Sequence, residues 1–222
     1  IEILADDALD NLSKSKLEVF LKNWVDTYIK EILGDLLNLN KEDVKNKYIR
    51  ALMFRLFENN GVLKRELVDD IVKSIKTDER KKIWEMGIKI GRYHIFLPKM
   101  LKPKAVSLRI SLWRLFYQLA TNQNIPRSGL NYLTDKKYNK NFLLLCGFEK
   151  FKNHYVRIDI LEKLFIKILN KTEKRKFKID SEMMNLIGCN KESFYNLILS
   201  MNYKKSHEAD TYFYIGESKR KS

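Results

Sequence analysis

The sequence predicts a mainly α protein in which a helical bundle is followed by a winged-helix-like α+β module. Two observations lead to this prediction. Apolar residues recur at three- and four-residue steps through much of residues 1–120, which is the spacing of amphipathic helices. Beyond residue 140, short helical patterns alternate with short runs of the two-residue spacing typical of strands. At 222 residues, the chain is long enough for one large domain or two small ones.

The bundle, residues 1–120, is predicted to contain five helices. The first carries an apolar stripe of Leu17, Phe20, Leu21, Trp24, Tyr28, Ile32 and Leu36. Gly61 and Gly87 act as stop signals, and Pro103 suits the first turn of a helix. The predicted helices are residues 14–37, 41–59, 64–76, 78–86 and 103–120.

Residues 87–103 cannot form one helix, because two glycines and two prolines fall within seventeen positions. The apolar residues here lie mostly two apart, which predicts an extended connector with one buried face. Cations are interleaved with them: Lys89, Arg92, Lys99 and Lys102, followed by Lys104. We favour a buried connector with solvated lysines, and the alternative is an edge that faces nucleic acid.

Residues 121–140 are polar and contain Pro126 and Gly129, so they are predicted to be a linker. The module follows as residues 141–222 and ends in the basic tail Lys219-Arg220-Lys221. A helix end, two strands and a helix are predicted at 142–147, 148–151, 154–158 and 160–170. After the basic stretch 171–178 come a short helix, a glycine turn, a second helix and a hairpin, at 182–187, 188–190, 191–201 and 203–215. This order is typical of a winged helix-turn-helix, which binds nucleic acid in some proteins and docks proteins in others.

The segment 144–158 resembles the segment 199–215. Each joins an apolar helix end to a pair of short strands, and the second reads Leu199-Ser-Met-Asn-Tyr203 before Tyr212-Phe-Tyr-Ile215. An internal duplication is therefore a hypothesis for this part of the chain.

The formal net charge of +15 indicates a polyanionic partner, either nucleic acid or an anionic membrane surface. The excess of lysine over arginine is also what an AT-rich genome would produce without selection for binding. Cys146 and Cys189 lie in apolar runs and are predicted to be buried thiols, which fits a reducing cytoplasmic compartment. No stretch is apolar enough for a membrane span. Because the chain begins at Ile1, we expect it to be a piece of a longer protein.

Motifs for catalysis are lacking in the sequence. His94, His154 and His207 have no second ligand at metal-binding spacing, and no glycine-rich loop precedes a Lys-Ser or Lys-Thr pair. The pairs Asp6-Asp7 and Asp69-Asp70 are interpreted as exposed charge or helix capping. We therefore expect neither a catalytic residue nor a cofactor or metal in this chain.

Four blocks, residues 46–65, 87–103, 155–164 and 184–189, occur in an order that resembles the C-terminal region of superfamily-two DExH helicases of alphaproteobacteria. These helicases are related to the mitochondrial RNA-degradosome helicase. The resemblance implies that ATP and Mg²⁺ would bind only in motor domains that precede residue 1 in the same polypeptide. It also implies that this region packs on the motor and helps to form the nucleic-acid channel.

The sequence thus predicts an accessory helicase region that binds single-stranded or unwinding RNA or DNA through phosphate contacts, without ATPase motifs of its own. The first alternative is a protein-docking module that braces a motor or recruits a partner. A third hypothesis is sequence-specific binding of DNA by the winged helix. The predicted nucleic-acid-binding residues are Arg92, Lys99, Lys102, Arg157, Lys191, Lys204 and Lys205.

Overall fold

The computed structural model describes residues 10–40, 44–117, 123–134 and 138–215. Over these residues the protein is mainly helical and contains three antiparallel sheets of three strands each, which confirms the predicted fold class. Among the described helices, none combines the length and the apolar character needed to cross a membrane. The N-terminal residues 1–9 and the predicted basic tail lie outside the described residues.

Helix α1 spans Asn11–Asn38 and confirms the first predicted helix. Its N-terminus is capped by Asp10, whose side chain accepts a hydrogen bond of 2.6 Å from the backbone N–H of Ser13. Only the last turns of α1 enter the core, where Leu33 and Leu36 are buried. The greater part of the helix therefore projects from the body of the protein.

The first unit, residues 47–102, contains a sheet within the region predicted to be a bundle. Its elements are α2 (Lys47–Glu58), β1 (Val62–Lys64), α3 (Asp69–Ser74), α4 (Thr77–Glu85), β2 (Lys89–Ile90) and β3 (His94–Phe96). The strand order is β1-β3-β2, so β3 lies between the other two strands. Helix, strand, two helices and a hairpin is the order of a winged helix-turn-helix. The residues predicted to be an extended connector thus include the wing of this unit.

The predicted helix 64–76 is divided in the structure. Strand β1 ends at Lys64, a 3₁₀ turn follows at Arg65–Leu67, and α3 has six residues. Val62 and Leu63 are buried because β1 pairs with β3, with Leu63 opposite Ile95. The pairing of β1 with a strand more than thirty residues later determines the conformation of this segment. The helical spacing of residues 64–76 gives no indication of such a distant contact.

The second unit, residues 103–157, has a similar plan with one helix described between its first two strands. Its elements are α5 (Pro103–Tyr117), β4 (Tyr132–Leu133), α6 (Lys140–Leu145), β5 (Phe148–Phe151) and β6 (His154–Arg157). The sheet order is β4-β6-β5. The segment predicted to be a linker therefore contributes a strand, although residues 121–122 and 135–137 lie outside the described residues.

Arg109 of α5 fastens the second unit to the first. Its buried guanidinium donates hydrogen bonds to the carbonyl oxygens of Asn60, Met100 and Leu145, at 2.6, 2.5 and 3.0 Å. Burial lowers the pKa of Arg109 to about 10, which still leaves the side chain charged at neutral pH. Backbone dipoles thus stabilise this buried cation.

The third unit, residues 158–214, has the arrangement predicted for the C-terminal module and one further strand. Its elements are α7 (Ile158–Asn170), β7 (Lys176–Lys178), α8 (Ser181–Ile187), α9 (Lys191–Ser200), β8 (Tyr203–Lys205) and β9 (Thr211–Tyr214). The predicted basic stretch supplies β7, and the sheet order is β7-β9-β8. Gly188 ends α8 at a φ of 75°, and the Asn190 side chain caps α9 by accepting from the Ser193 N–H at 2.8 Å.

All three sheets place the third strand of the unit between the first and the second. The hypothesis of an internal duplication involved the second and third units, and both have the helix-strand-strand order that it requires. The structure adds the first unit to the series. The described part of the chain therefore consists of α1 followed by three consecutive winged-helix-like units.

Candidate nucleic-acid interface

A groove of about 680 Å³ lies between α4 of the first unit and α7 of the third. We call it the α4–α7 groove. Helix α4 is the second helix of the helix-turn-helix α3–α4, the element that contacts nucleic acid in many winged-helix proteins. The groove's cationic side chains are Arg65, Arg80, Lys89, Arg92 and Lys163.

The cations of the groove differ in their partners. Arg80, Lys89 and Lys163 are exposed and form no salt bridge with any residue that the structure describes. Arg65 is held by Asp69 at 3.2 Å and donates to the carbonyl oxygen of Gly91 at 2.8 Å. Three cations of the groove can therefore accept an anionic ligand without first losing a carboxylate partner.

Two carboxylates line the same groove, and both are already engaged. Asp159 accepts two hydrogen bonds from the guanidinium of Arg157, at 2.6 and 2.9 Å. Glu162 is 8% exposed and accepts hydrogen bonds from backbone N–H groups. These contacts offset much of the repulsion that the carboxylates would otherwise exert on an anion in the groove.

Aromatic and aliphatic side chains complete the groove. Trp84 of α4 is 67% exposed, and Ile166 of α7 is 55% exposed. An exposed indole beside unpaired cations can stack on a base while the cations contact phosphates. The α4–α7 groove thus places an exposed aromatic side chain beside exposed cationic side chains.

The wall of the groove is built where the first wing, residues 89–96, meets α7. Glu162 accepts hydrogen bonds from three consecutive backbone N–H groups, those of Arg92, Tyr93 and His94, at 2.5, 2.8 and 2.9 Å. A Cβ atom on Gly91 would lie 2.3–2.7 Å from the carboxylate atoms of Glu162. Only glycine leaves the room for this contact, so the wing tip is fixed against the third unit.

Behind the wing tip lies a buried polar cluster that joins all three units. His94 is 1% exposed, and its Nε2 atom lies 2.8 Å from Oε2 of Glu149, a residue of β5. The Nδ1 atom of His94 lies 3.8 Å from Oε1 of Glu162. Lys64 approaches the other oxygen of Glu149 at 2.6 Å. Two carboxylates and two basic groups thus compensate one another across the unit boundaries.

Burial by itself lowers the pKa of His94, but the hydrogen bond to Glu149 and the negative charges of Glu149 and Glu162 outweigh it and raise that pKa above its usual value. Burial by itself raises the pKa of Glu149, and hydrogen bonds from His94 and Lys64 outweigh it and lower that pKa. The cluster therefore favours a protonated His94 beside an ionised Glu149.

One of the seven predicted binding residues, Arg92, lines the α4–α7 groove. Its guanidinium lies 5.7 Å from the ring centre of Phe165 and 5.8 Å from that of Tyr214, which are cation–π contacts to the third unit. Arg157 borders the groove through its contacts with Asp159. Both residues join units as well as adding positive charge.

The other five predicted residues lie outside the lining of the groove. Lys99 forms a salt bridge of 3.0 Å with Asp35 of α1, and Lys191 lies 4.0 Å from Asp210. Lys102, Lys204 and Lys205 are exposed, and no salt bridge joins them to a residue in the described part of the chain. The structure therefore does not gather these seven residues into one site.

Positive charge is distributed unevenly along the chain. Residues 47–157, the first two units, contain 24 Lys and Arg against 9 Asp and Glu. Residues 158–214, the third unit, contain 10 against 8, and α1 is neutral. Long-range attraction of a polyanion therefore favours the first two units over the C-terminal winged helix.

Arg80, Trp84 and Lys163 are not among the binding residues predicted from the sequence. The interpretation of residues 64–86 as bundle helices concealed a helix-turn-helix there. The available signal was Gly61-Val62-Leu63-Lys64 followed by two short helices and the strands at residue 89, because this repeats the order recognised in the third unit. Nothing local could have placed Lys163 beside α4, since the two lie about eighty residues apart.

Within the described residues, no group of three or more His, Cys, Asp and Glu side chains could hold a metal ion. Both cysteines are unpaired thiols, and burial raises the pKa of Cys146 to about 12 and that of Cys189 to about 11. Neither thiol is suited to act as a nucleophile at neutral pH.

Comparison with protein-family models, with curated proteins and with solved structures gives no match to this chain.

Proposed function

We propose that this protein binds single-stranded nucleic acid in the α4–α7 groove. The observation that carries the proposal is the exposed indole of Trp84 beside the exposed cations Arg80, Lys89 and Lys163, which form no salt bridge with any described residue. Phosphates would contact the cations, and a base would stack on Trp84. Both interactions are available to any sequence, so the binding should depend weakly on base identity.

Two features favour a single strand over a duplex as the ligand. A winged helix that reads a duplex commonly uses its second helix in the groove and its wing on the backbone. In the first unit the wing tip is held by Glu162, and so it is not free to follow a duplex. The third unit has a wing with Lys204 and Lys205 exposed, but its overall charge is close to neutral.

The test is fluorescence anisotropy of labelled single-stranded RNA and DNA across a range of salt concentrations. We expect Arg80→Glu/Lys163→Glu to weaken binding strongly and to reduce the slope of log affinity against log salt by about 1.4, because each single-strand phosphate contact contributes about 0.7. Trp84→Ala should weaken binding by roughly 1–3 kcal/mol and leave the salt slope unchanged, since it removes stacking alone.

The matched variant is Lys204→Glu/Lys205→Glu. It changes the net charge by the same amount, on the wing of the third unit (residues 203–214, called the third wing). Equal losses for both double variants would mean that the +15 charge acts diffusely, and the groove would not be the site. A larger loss for the third-wing variant would assign binding to the C-terminal winged helix. In that case, discrimination between a specific and a scrambled duplex would test sequence-specific binding.

The helicase context predicted from the resemblance stays a prediction. In that context the α4–α7 groove would guide the unwound strand, and the ATP-dependent motor of the same polypeptide would supply the energy. The proposal for the groove does not depend on it.

A further inference from the structure

The exposed part of α1 carries an apolar face without a partner among the described residues. Phe20 and Trp24 are each more than half exposed, and Leu17 and Tyr28 are more than a third exposed. Residues 11–28 of this helix extend over about 27 Å at 1.5 Å per residue. Monomeric soluble proteins rarely expose a continuous stripe of this kind.

The stripe has the spacing of a coiled-coil seam. Leu17, Leu21, Trp24 and Tyr28 follow one another at steps of four, three and four residues. These are alternating d and a positions of a heptad. Continuing the same spacing one step in each direction gives Lys14 at the N-terminal end and Glu31 at the C-terminal end.

This seam is complementary to itself when it is reversed. In an antiparallel pair of α1 helices, Leu21 would face the partner's Trp24, and Leu17 would face the partner's Tyr28. Lys14 would then face the partner's Glu31 at both ends of the contact. A parallel pair would instead place each Lys14 beside the partner's Lys14.

The remaining charges of α1 favour the same direction. The N-terminal half contains Lys14, Lys16, Glu18 and Lys22, and the C-terminal half contains Asp26, Lys30, Glu31 and Asp35. The first half is therefore positive and the second negative, although the helix as a whole is neutral. Antiparallel pairing brings unlike halves together, and parallel pairing brings like halves together.

We propose that α1 binds α1 of a second copy of this chain in an antiparallel, twofold-symmetric contact. Such a contact limits the assembly to two copies, because each copy buries the same surface and leaves none for a third. One helix pair is a small interface beside the roughly 1,200–2,000 Å² that stable complexes bury. The dimer should therefore dissociate in the micromolar range. Each dimer would carry two copies of the α4–α7 groove.

The test is sedimentation velocity of the full chain over a wide concentration range. The wild type should change from monomer to dimer, and Leu21→Glu should remain a monomer throughout. Phe54→Glu is the matched control, because Phe54 is an exposed apolar residue of α2 outside the seam, and it should dimerise normally. A wild type that stays monomeric at all concentrations would overturn the proposal.

Exchanging the charges at the two ends of the seam tests whether the paired α1 helices are antiparallel. Lys14→Glu alone and Glu31→Lys alone should each raise the dimer dissociation constant on the order of tenfold, because each turns two attractive pairs into two repulsive ones. The double variant Lys14→Glu/Glu31→Lys should restore the wild-type value. Single variants that dimerise as well as the wild type, or a double variant that is no better than the singles, would overturn the antiparallel pairing.

Discussion

The first and third units have the same order of elements and the same strand order, yet their wings are in opposite situations. The first wing is fixed by Glu162 and the aromatic ring of Phe165, and its residue His94 is buried. The third wing, residues 203–214, exposes Lys204 and Lys205. A wing of this fold can therefore serve to join units or can remain available to a ligand, depending on what packs against its tip.

The contacts of the first wing also show that buried polar groups join the units to one another. Neighbouring units meet not only through apolar side chains but through Glu162, Glu149, His94 and Arg109, all nearly buried. Buried polar groups are costly unless each one has a partner. Loss of one member should therefore destabilise the protein far more than a change to the exposed lysines of the third wing, Lys204 and Lys205.

The largest effect is expected for Glu162→Ala. It leaves the backbone N–H groups of Arg92, Tyr93 and His94 without their acceptor and removes a carboxylate 3.8 Å from the His94 ring, so we expect the free energy of unfolding to fall by about 3–5 kcal/mol. Chemical denaturation at neutral pH measures this change. Lys204→Glu/Lys205→Glu, on the exposed wing, should change the same quantity by no more than about 0.5 kcal/mol. Similar losses for the two variants would remove the distinction between the wings.

An intermediate effect is expected for Gly91→Ala. The added Cβ would displace the Glu162 carboxylate from the wing tip, and we expect a loss of about 1–3 kcal/mol. Gly34→Ala is the control, because a Cβ there meets no atom within 4 Å and alanine favours the helix, so it should stabilise by about 0.5–1 kcal/mol. In the Glu162→Ala background, Gly91→Ala should cost little, because the two changes remove the same contact.

The smallest effect is a dependence on pH. The raised pKa of His94 adds stability that is complete below the usual histidine pKa and is lost as the pH rises through the folded value. The lowered pKa of Glu149 adds stability that is present above the usual glutamate pKa and is lost as the pH falls through the folded value. The cluster thus contributes most at mildly acidic pH.

Thermal unfolding from pH 4.5 to 9 should therefore show a decline in Tm on the alkaline side. In His94→Gln this decline should be weaker, since the variant cannot release a proton there. His207 lies at the tip of the third wing and is exposed, so His207→Gln should retain the full decline. An unchanged pH profile in His94→Gln would show that the cluster does not titrate with folding.

Much of the third unit could be predicted from sequence, because its signals are local. Asn190 as a cap, Gly188 as a helix end and the alternation in Tyr212-Phe-Tyr-Ile215 all act over a few residues. The first unit was harder to predict. Strand β1 has three residues, and its burial depends on β3, about thirty positions later.

The residues that line the α4–α7 groove were predicted less completely than the fold. The sequence pointed to nucleic acid through its charge, and of the residues it nominated the structure places Arg92 in the groove lining. Charge alone could not separate Lys99, which pairs with Asp35, from Arg80, which forms no salt bridge with a described residue. A salt bridge to a distant residue leaves no local mark in the sequence.

By itself, the sequence determined the mainly helical class, the extent of α1, the C-terminal winged helix and the excess of positive charge, because periodicity, caps and composition are local properties. Only the tertiary structure showed that the described residues form three related units, that Glu162 binds the backbone of the first wing and that Lys163 lies beside α4. Those facts depend on contacts between residues far apart in the sequence, from about 30 positions for β1 and β3 to 70 positions for Arg92 and Glu162. Several of these contacts join buried polar groups to partners that are distant in the sequence. No local sequence pattern identifies those partners.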